Sequence, residues 1–379
     1  PPYDVVSPAE RERLVASDPH NVVALELPEG PLDPSESGNR YDTGGARWRE
    51  WLAEGVLARD EKPAVYVVEQ RFSLRGREVR RRAFVAEVGL EPFSAGIVVP
   101  HERTLPKALD DRLRLTRACA ANLSQVLALY PDPERVTDAL LDRATEGMPL
   151  ATATDPDGVE SRVWAITAAE EADLLARHFE DRQVFIADGH HRYTTALAYR
   201  DERRATETES VAGAAPAYDG IMMALVSMDD PDLAVLPTHR VADADARPFD
   251  PEAFRTALAS MFVLTPLGDG IEAELAEIPG PAFGVRTPAD DTSVVARLRD
   301  DVDPAAEIRR DASSAWKGLD VAVLQELVLD RLLDVHPDRP ETLERLSFVK
   351  DIDTALTTTG HDVVFIVRPT GMDQLREVT

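Results

Sequence analysis

The sequence feature that most constrains the fold is a short apolar run that ends in an Asp-Gly turn and leads into a helix-forming segment. Residues 184–187 are apolar, as in a buried strand, and Asp188-Gly189 supplies the turn. Residues 194–205 are rich in Ala, Leu and Arg, with the residue spacing of a helix surface. A strand, a tight turn and a helix in this order predict an α/β (α+β) fold.

Residues 188–193, called here the signature loop, read Asp-Gly-His-His-Arg-Tyr. Cations at a helix start cost roughly 0.3 to 1 kcal/mol each, because the first turn already carries partial positive charge. A phosphate bound to the turn and the helix N-terminus would compensate this cost. In the alternative interpretation, Asp188 is only a helix N-cap and the two histidines are uncharged and partly exposed.

Composition narrows the class of protein further. The formal net charge is -27, spread along the chain, which disfavours binding to a nucleic-acid backbone. Cys119 is the only cysteine, which excludes an internal disulfide and a cysteine zinc site. We expect a cytoplasmic protein, because no run approaches the ~18 apolar residues of a membrane span and no signal segment is present. The start at Pro1, within a loop-like segment, predicts natural residues upstream.

Periodicity predicts alternating strands and helices, organised as a core domain at 1–248 and a C-terminal α+β unit at 249–379. Strands at 64–72 and 78–88 are predicted to form a hairpin, and residues 205–218 a mobile loop. The other predicted strands are 125–130, 160–165, 221–227, 233–236, 262–266, 283–286 and 293–298. The predicted helices are 47–57, 106–123, 168–179, 253–261, 271–278 and 319–333. Gly44-Gly45 is interpreted as a turn.

Polar clusters follow apolar segments at 101–104, 188–193 and 238–240, the position where α/β folds assemble their sites. Phosphoryl transfer needs a phosphate cradle, cations, a carboxylate for Mg²⁺ and a base or orienting group. Glu102 and Asp188 are the predicted catalytic carboxylates, with Asp188 the candidate Mg²⁺ ligand. Candidates for phosphate binding are Gly189, His190, His191, Arg192, His239 and Arg240. Candidates for substrate binding are His101, Thr104, Asn122 and Tyr193.

A transition-metal hydrolase that uses the histidines with Asp188 is a second chemical interpretation. It is disfavoured because adjacent His190 and His191 do not easily face one metal from a helix start. Walker, kinase Gly-rich, dinucleotide and Gly-x-Ser-x-Gly motifs are all absent from the sequence. The chemistry therefore depends on the signature loop and the two clusters that accompany it.

Several motifs in order resemble one bacterial and archaeal family of unknown function, DUF1015. They are Pro1-Pro2-Tyr3-Asp4-Val5, Asn21-Val22-Val23, Pro100-His101-Glu102 with Thr104, Asn122-Leu123-Ser124, the signature loop, Met228-Asp229-Asp230 and Leu236-Pro237-Thr238-His239-Arg240. The resemblance extends from the first residue to near the last. It implies a family but no activity.

The Asp-Gly-His-His-Arg core is also similar to the phosphate-binding loop of free L-serine kinases with a ParB and sulfiredoxin-like fold. This resemblance covers some six residues. It implies a mixed-sheet core, elaborated here by the N-terminal hairpin region and the C-terminal unit. It also implies that Gly189, His190, His191 and Arg192 hold phosphate and that Asp188 lies beside the transferred group. Glu102 as the base is our own assignment.

The leading functional hypothesis is a kinase that uses ATP or ADP with Mg²⁺ on a small hydroxyl substrate, with free L-serine as the first candidate. One alternative is a ParB-like nucleic-acid binder or nuclease, which the net charge opposes. Another is a nucleotide-sensing module without chemistry. A membrane partner is not expected, and the sequence does not indicate an oligomeric state.

Overall fold

The computed structural model contains two compact units, Pro1–Leu233 and Ala234–Thr379. Each unit has its own sheet and its own hydrophobic core. The residues that the structure describes are Tyr3, 6–74, 76–100, 106–156, 158–207, 215–233, 236–245, 248–268, 270–336, 339–371, Gln374 and Glu377.

The first unit is built around a mixed sheet, which confirms the predicted α/β class. Its strands are β1 (Val65–Leu74), β2 (Arg77–Gly89), β3 (Val98–Val99), β4 (Val126–Tyr130), β5 (Ala151–Thr154), β6 (Glu160–Ile166), β7 (Val184–Asp188) and β8 (Gly220–Ser227). Within the described residues the strand order is β3-β7-β4-β8-β2-β1-β6-β5. β3 is parallel to β7 and β4 is parallel to β8, whereas the other neighbours are antiparallel.

The predicted hairpin of β1 and β2 is confirmed, and it lies inside the sheet between β8 and β6. Val67 of β1 pairs with Phe84 of β2, and both side chains are completely buried. Apolar residues on such cross-strand pairs stabilise a sheet by packing against the layer beneath. The hairpin is therefore part of the central sheet and not an appendage to it.

The helices of the first unit agree with most of the predicted ones. They are α1 (Pro8–Ser17), α2 (Val23–Glu26), α3 (Arg40–Ala53), α4 (Pro106–Cys119), α5 (Asp138–Thr145), α6 (Ala169–Phe179) and α7 (His190–Thr206). α3 begins earlier than predicted, because the Asn39 side chain accepts hydrogen bonds from the Tyr41 and Asp42 N–H groups. α4 ends before the predicted Leu123, at the left-handed residue Ala120 (φ 51°).

Gly44 and Gly45 lie within α3, so the interpretation of this pair as a turn was wrong. A Cβ on Gly45 would lie 2.6 Å from the Ala118 carbonyl oxygen of α4. A Cβ on Gly44 would lie 2.9 Å from the Leu115 side chain of the same helix. Glycine is needed here because the two helices approach too closely for any side chain between them.

The second unit is a separate antiparallel sheet with helices, which confirms the predicted C-terminal α+β unit. Its strands are β9 (His239–Ala242), β10 (Phe262–Pro266), β11 (Ala282–Thr287), β12 (Thr292–Leu298), β13 (Leu346–Val349) and β14 (Val363–Ile366). In the described part of this unit their order is β10-β12-β11-β14-β9-β13. The helices are α8 (Pro251–Ala259), α9 (Ile271–Glu277), α10 (Pro304–Glu307), α11 (Ser314–Lys317), α12 (Asp320–Val323), α13 (Asp330–Leu332), α14 (Pro340–Leu343) and α15 (Ile352–Thr357).

Residues 234–248, assigned to the core domain from the sequence, belong to the second unit in the structure. The physical reason is strand pairing, because β9 is hydrogen-bonded to β14 and β13 of that unit. The predicted strand at 233–236 lies partly outside the described residues, and Leu233 and Leu236 are not in a strand. Part of the predicted loop at 205–218 also lies outside them, and α7 extends to Thr206.

The lengths and polarities of the helices were compared with those of membrane-spanning helices. Over the described ranges, no helix is long and apolar enough to cross a bilayer.

Candidate functional site

The signature loop lies where β7 turns directly into α7. Gly189 is the N-cap residue of α7, with φ 91° and ψ 29°, a left-handed conformation that favours glycine. The helix therefore begins at His190, four residues before the predicted start, and the two histidines and Arg192 form its first turn. Asp188 is the last residue of β7, so its interpretation as an N-cap was wrong.

The start of α7 has the chemical features of an anion-binding turn. Its first turn contains no acidic residue, and no side chain caps it within the described residues. The first N–H groups of an α-helix are not used in intrahelical bonds, and they carry the positive end of the helix dipole. His190 is buried and His191 is half-buried. An anion at this turn would face backbone N–H groups and basic side chains together.

Asp188 and Arg192 form an ion pair across the turn. The Arg192 guanidinium also donates a hydrogen bond to the Gln125 carbonyl oxygen, next to the start of β4. The Asp188 side chain is 48% exposed, and among the described residues only its Oδ2 atom has a partner. The carboxylate therefore compensates part of the positive charge of this turn. Its second oxygen faces no protein partner in the described part of the chain.

Tyr193, a predicted substrate-binding residue, packs beneath the loop and does not line an open site. Its side chain is completely buried and stacks on Phe93, with 5.2 Å between ring centroids. The hydroxyl donates to the Glu91 carbonyl oxygen at 2.8 Å and accepts from the Glu91 N–H at 3.0 Å. Burial raises the pKa of this hydroxyl. Tyr193 thus anchors the first turn of α7 to the segment that follows β2.

A small cavity of about 40 Å³ lies beside the signature loop in the first unit. Its volume is a few times what one water molecule requires. The exposed Asn122, another predicted substrate-binding residue, lies on its lining together with Arg192. Other polar residues on the lining were not predicted from the sequence as site residues: Glu26, Arg112, Thr116, Ser124 and Thr195.

His239 and Arg240, predicted to bind phosphate, lie inside strand β9 of the second unit. The His239 side chain is 1% exposed, and its Nδ1 atom accepts a hydrogen bond from the Val367 N–H at 3.3 Å. The Arg240 guanidinium donates to the Thr238 carbonyl oxygen and lies over the Phe348 ring, 5.7 Å from its centroid. These side chains have structural partners within their own sheet.

The cluster of His101, Glu102 and Thr104 lies outside the described residues. The structure does describe the strand that precedes it. β3 is parallel to β7, with Val99 opposite Phe185. Carboxyl ends of parallel neighbouring strands meet at one edge of a sheet, the edge at which α/β proteins bind ligands. β3 and β7 therefore end at the same edge.

Metal-ligating side chains are sparse in the described part of the chain. No group of three or more His, Cys, Asp or Glu residues there has the spacing to hold a metal ion. The arrangement around Asp188 offers one carboxylate, which fits a cation such as Mg²⁺ that retains waters and shares phosphate ligands.

Together these features define a mixed α/β protein whose β7–α7 junction has the geometry of an anion-binding turn. The chain belongs to the family described as Protein of unknown function (DUF1015), whose model matches residues 1–322. This result confirms the family resemblance noted in the sequence. None of the curated proteins compared with the chain is significantly similar to it.

The chain is also similar to solved structures of a free serine kinase, each covering 78% of this chain and 81% of the kinase chain. A mutant in complex with ADP has 12% sequence identity and a TM-score of 0.35. A second mutant, in complex with AMP, has 11% identity and a TM-score of 0.35. The form described without a mutation, also with AMP, has 14% identity and a TM-score of 0.33.

Proposed function

We propose that this protein is a phosphotransferase that moves a phosphoryl group from ATP or ADP to a small hydroxyl substrate, with free L-serine as the first candidate acceptor. The observation that carries the proposal is the glycine-capped junction of β7 and α7. There an acid-free helix start lies next to a half-exposed carboxylate. Such a turn binds phosphate through backbone N–H groups and the helix dipole.

The nucleotide phosphates would lie on Gly189 and the first turn of α7, with His190, His191 and Arg192 supplying positive charge. Phosphoryl transfer is catalysed mainly by positioning and by stabilising charge on the transferred group. The turn would meet both requirements, because the Tyr193 hydroxyl is hydrogen-bonded to the Glu91 backbone and the Arg192 guanidinium to the Gln125 carbonyl oxygen. A rigid cradle of this kind is what an in-line transfer needs.

Asp188 would hold Mg²⁺ through the carboxylate oxygen that Arg192 does not engage. Carboxylate oxygens are hard ligands that suit Mg²⁺, and the ion would neutralise charge on the phosphates. Arg192 keeps the carboxylate oriented toward the helix start. The fit is supported by the exposure of Asp188 and by its position at the end of β7.

Glu102 is the proposed general base. Val99 pairs with Phe185. In the sequence, Glu102 comes three residues after Val99, and Asp188 comes three residues after Phe185. β3 therefore leads toward the sheet edge at which Asp188 lies. In the reaction, the acceptor hydroxyl oxygen forms a bond to the terminal phosphorus as the bond to the bridging oxygen breaks. The hydroxyl proton passes to Glu102, and the nucleotide leaves with one phosphate fewer.

The proposal is tested by incubating the full chain with L-serine, Mg²⁺ and either ATP or ADP, and by assaying O-phosphoserine by ³¹P NMR and mass spectrometry. We expect phosphoserine with at least one nucleotide. Its absence with both nucleotides would rule out the serine kinase.

The same assay separates a kinase from a nucleotide sensor. Asp188→Asn should lose turnover while nucleotide binding, measured by calorimetry, persists. Asp201→Asn, which changes an exposed acid on α7 away from the turn, is the matched control and should retain activity. Wild-type nucleotide binding without any product, over a range of hydroxyl acceptors, would favour the sensor.

A further inference from the structure

The cavity beside the signature loop contains more hydrogen-bonding capacity than the described protein satisfies. Three buried atoms on its lining residues have no hydrogen-bond partner among the described residues: Glu26 Oε1, Arg192 Nε and Thr195 Oγ1. Thr195 is 2% exposed, so bulk solvent does not satisfy its hydroxyl. Burying polar groups without partners is unfavourable, and three such groups on residues that line one cavity favour a polar occupant.

The charges around this cavity are otherwise paired. Arg112 donates to the Glu26 backbone carbonyl oxygen at 2.9 Å and to Asp111 at 2.6 Å. The second oxygen of Glu26 lies 3.4 Å from Arg112. Arg192 is paired with Asp188. A ligand that carries one positive and one negative group preserves this balance, whereas a simple anion would be repelled by Glu26.

The open positions specify the ligand by its chemistry. Glu26 Oε1 is an acceptor and matches an ammonium group. Arg192 Nε is a donor and matches a carboxylate or hydroxyl oxygen. The Thr195 hydroxyl serves either role. The volume of about 40 Å³ restricts the enclosed part of the ligand to a few non-hydrogen atoms, so the ligand is a small molecule.

We infer that this cavity is the acceptor site and that Glu26 recognises the ammonium group of a small zwitterionic hydroxy amino acid. The inference rests on the proposed function for the role of the ligand as acceptor. Arg192 and Thr195 are three residues apart on α7 and so lie on the same face of the helix. Arg192 lines the cavity and also contacts Asp188, so the acceptor binds next to the phosphate turn.

Calorimetric titrations of the full chain test the inference, with and without saturating ADP and Mg²⁺. The ligands are L-serine, glycerate, which lacks the ammonium group, and ethanolamine, which lacks the carboxylate. We expect L-serine to bind at least about tenfold more tightly than either analogue, the effect of one hydrogen bond to a charged group.

Two pairs of variants assign the effect to the cavity. Glu26→Gln should weaken L-serine binding by about tenfold or more and narrow its advantage over glycerate. Glu29 is an exposed acid nearby in sequence, and Glu29→Gln should change neither the affinity for L-serine nor the preference for L-serine over glycerate. Thr195→Val should weaken L-serine binding, whereas Thr194→Val should not. The Thr194 hydroxyl also has no partner among the described residues, but Thr194 is not on the cavity lining.

Failure of the inference and failure of the proposed function give different results. Ammonium-dependent L-serine binding that Glu26→Gln weakens supports the amino-acid site in the cavity even if no phosphoserine forms, and only the kinase proposal is then overturned. Phosphoserine formation with equal L-serine affinity in wild type and Glu26→Gln overturns the cavity assignment alone. No L-serine binding under either condition, by protein with a native circular dichroism spectrum, overturns the assignment and leaves water as the occupant.

Discussion

The signature loop and the His239-Arg240 segment have similar side chains but opposite positions in their sheets. In the first, the basic residues follow the end of β7 and form the first turn of α7. In the second, His239 and Arg240 are themselves the first residues of β9. The loop residues are therefore placed where backbone N–H groups of a helix start are available, while the strand residues are engaged by their sheet neighbours. The types of residue alone therefore do not separate the start of a helix from the start of a strand.

The largest effect is expected at the carboxylate of the signature loop. Asp188→Asn should reduce kcat for phosphoserine formation by roughly 10²- to 10⁴-fold, because the substitution removes the charge proposed to hold Mg²⁺. Steady-state kinetics with Asp201→Asn as the control measures it. A kcat within threefold of wild type would show that Asp188 has no catalytic role.

The conformation of Gly189 is the next most sensitive feature. Gly189→Ala should weaken ADP binding by about tenfold or more and lower the free energy of unfolding by roughly 1 to 3 kcal/mol. The residue has φ 91°, and a Cβ would lie 2.9 Å from Arg192 Nε.

The matched control is Gly147→Ala, because a Cβ there meets no atom within 4 Å. Calorimetry and chemical denaturation measure both variants. Equal ADP affinity in the two would show that the turn at Gly189 does not hold the phosphates.

Tyr193 should affect stability and not chemistry. Tyr193→Phe removes a hydroxyl that bonds both backbone groups of Glu91, so we expect a loss of about 1 to 3 kcal/mol in the free energy of unfolding. Tyr199→Phe, a control on the same helix, should lose less. KM for the acceptor should be unchanged in both, and a selective rise in KM for Tyr193→Phe would support its predicted role in substrate binding.

The smallest effect is expected in the second unit. Arg240→Gln removes a guanidinium that lies over Phe348, and such a partly exposed contact contributes about 0.5 to 1 kcal/mol to stability. ADP affinity should change less than roughly twofold. A larger loss of ADP affinity would support the predicted role of Arg240 in phosphate binding and contradict the difference drawn between the two segments.

Much of the fold follows from local sequence patterns. β10 lies at the predicted residues, and β7 differs by one residue, because an apolar run bounded by turn signals defines a buried strand. The predicted start of α7 is four residues too late, because basic residues are unusual in the first turn of a helix and so indicate a loop. The left-handed Gly189 is the signal that places the helix start.

The cavity was beyond the reach of local patterns. Glu26 lies on a four-residue helix that periodicity does not reveal, and only tertiary packing places it on one cavity lining with Arg112 and Thr195. Asn122 alone among its polar lining residues outside the signature loop was predicted, from its motif. The position of β9 also depends on pairing with distant strands, since Val241 lies opposite Val364 and Ser347.

The central claim is that the β7–α7 turn holds the phosphates of a nucleotide, and a crystal structure of the protein grown with ADP and Mg²⁺ tests it most directly. We expect phosphate oxygens about 3 Å from backbone nitrogens of Gly189 and the first turn of α7. We also expect Mg²⁺ against the carboxylate of Asp188. Phosphates bound at any other place in the protein, with this turn unchanged, would contradict the claim.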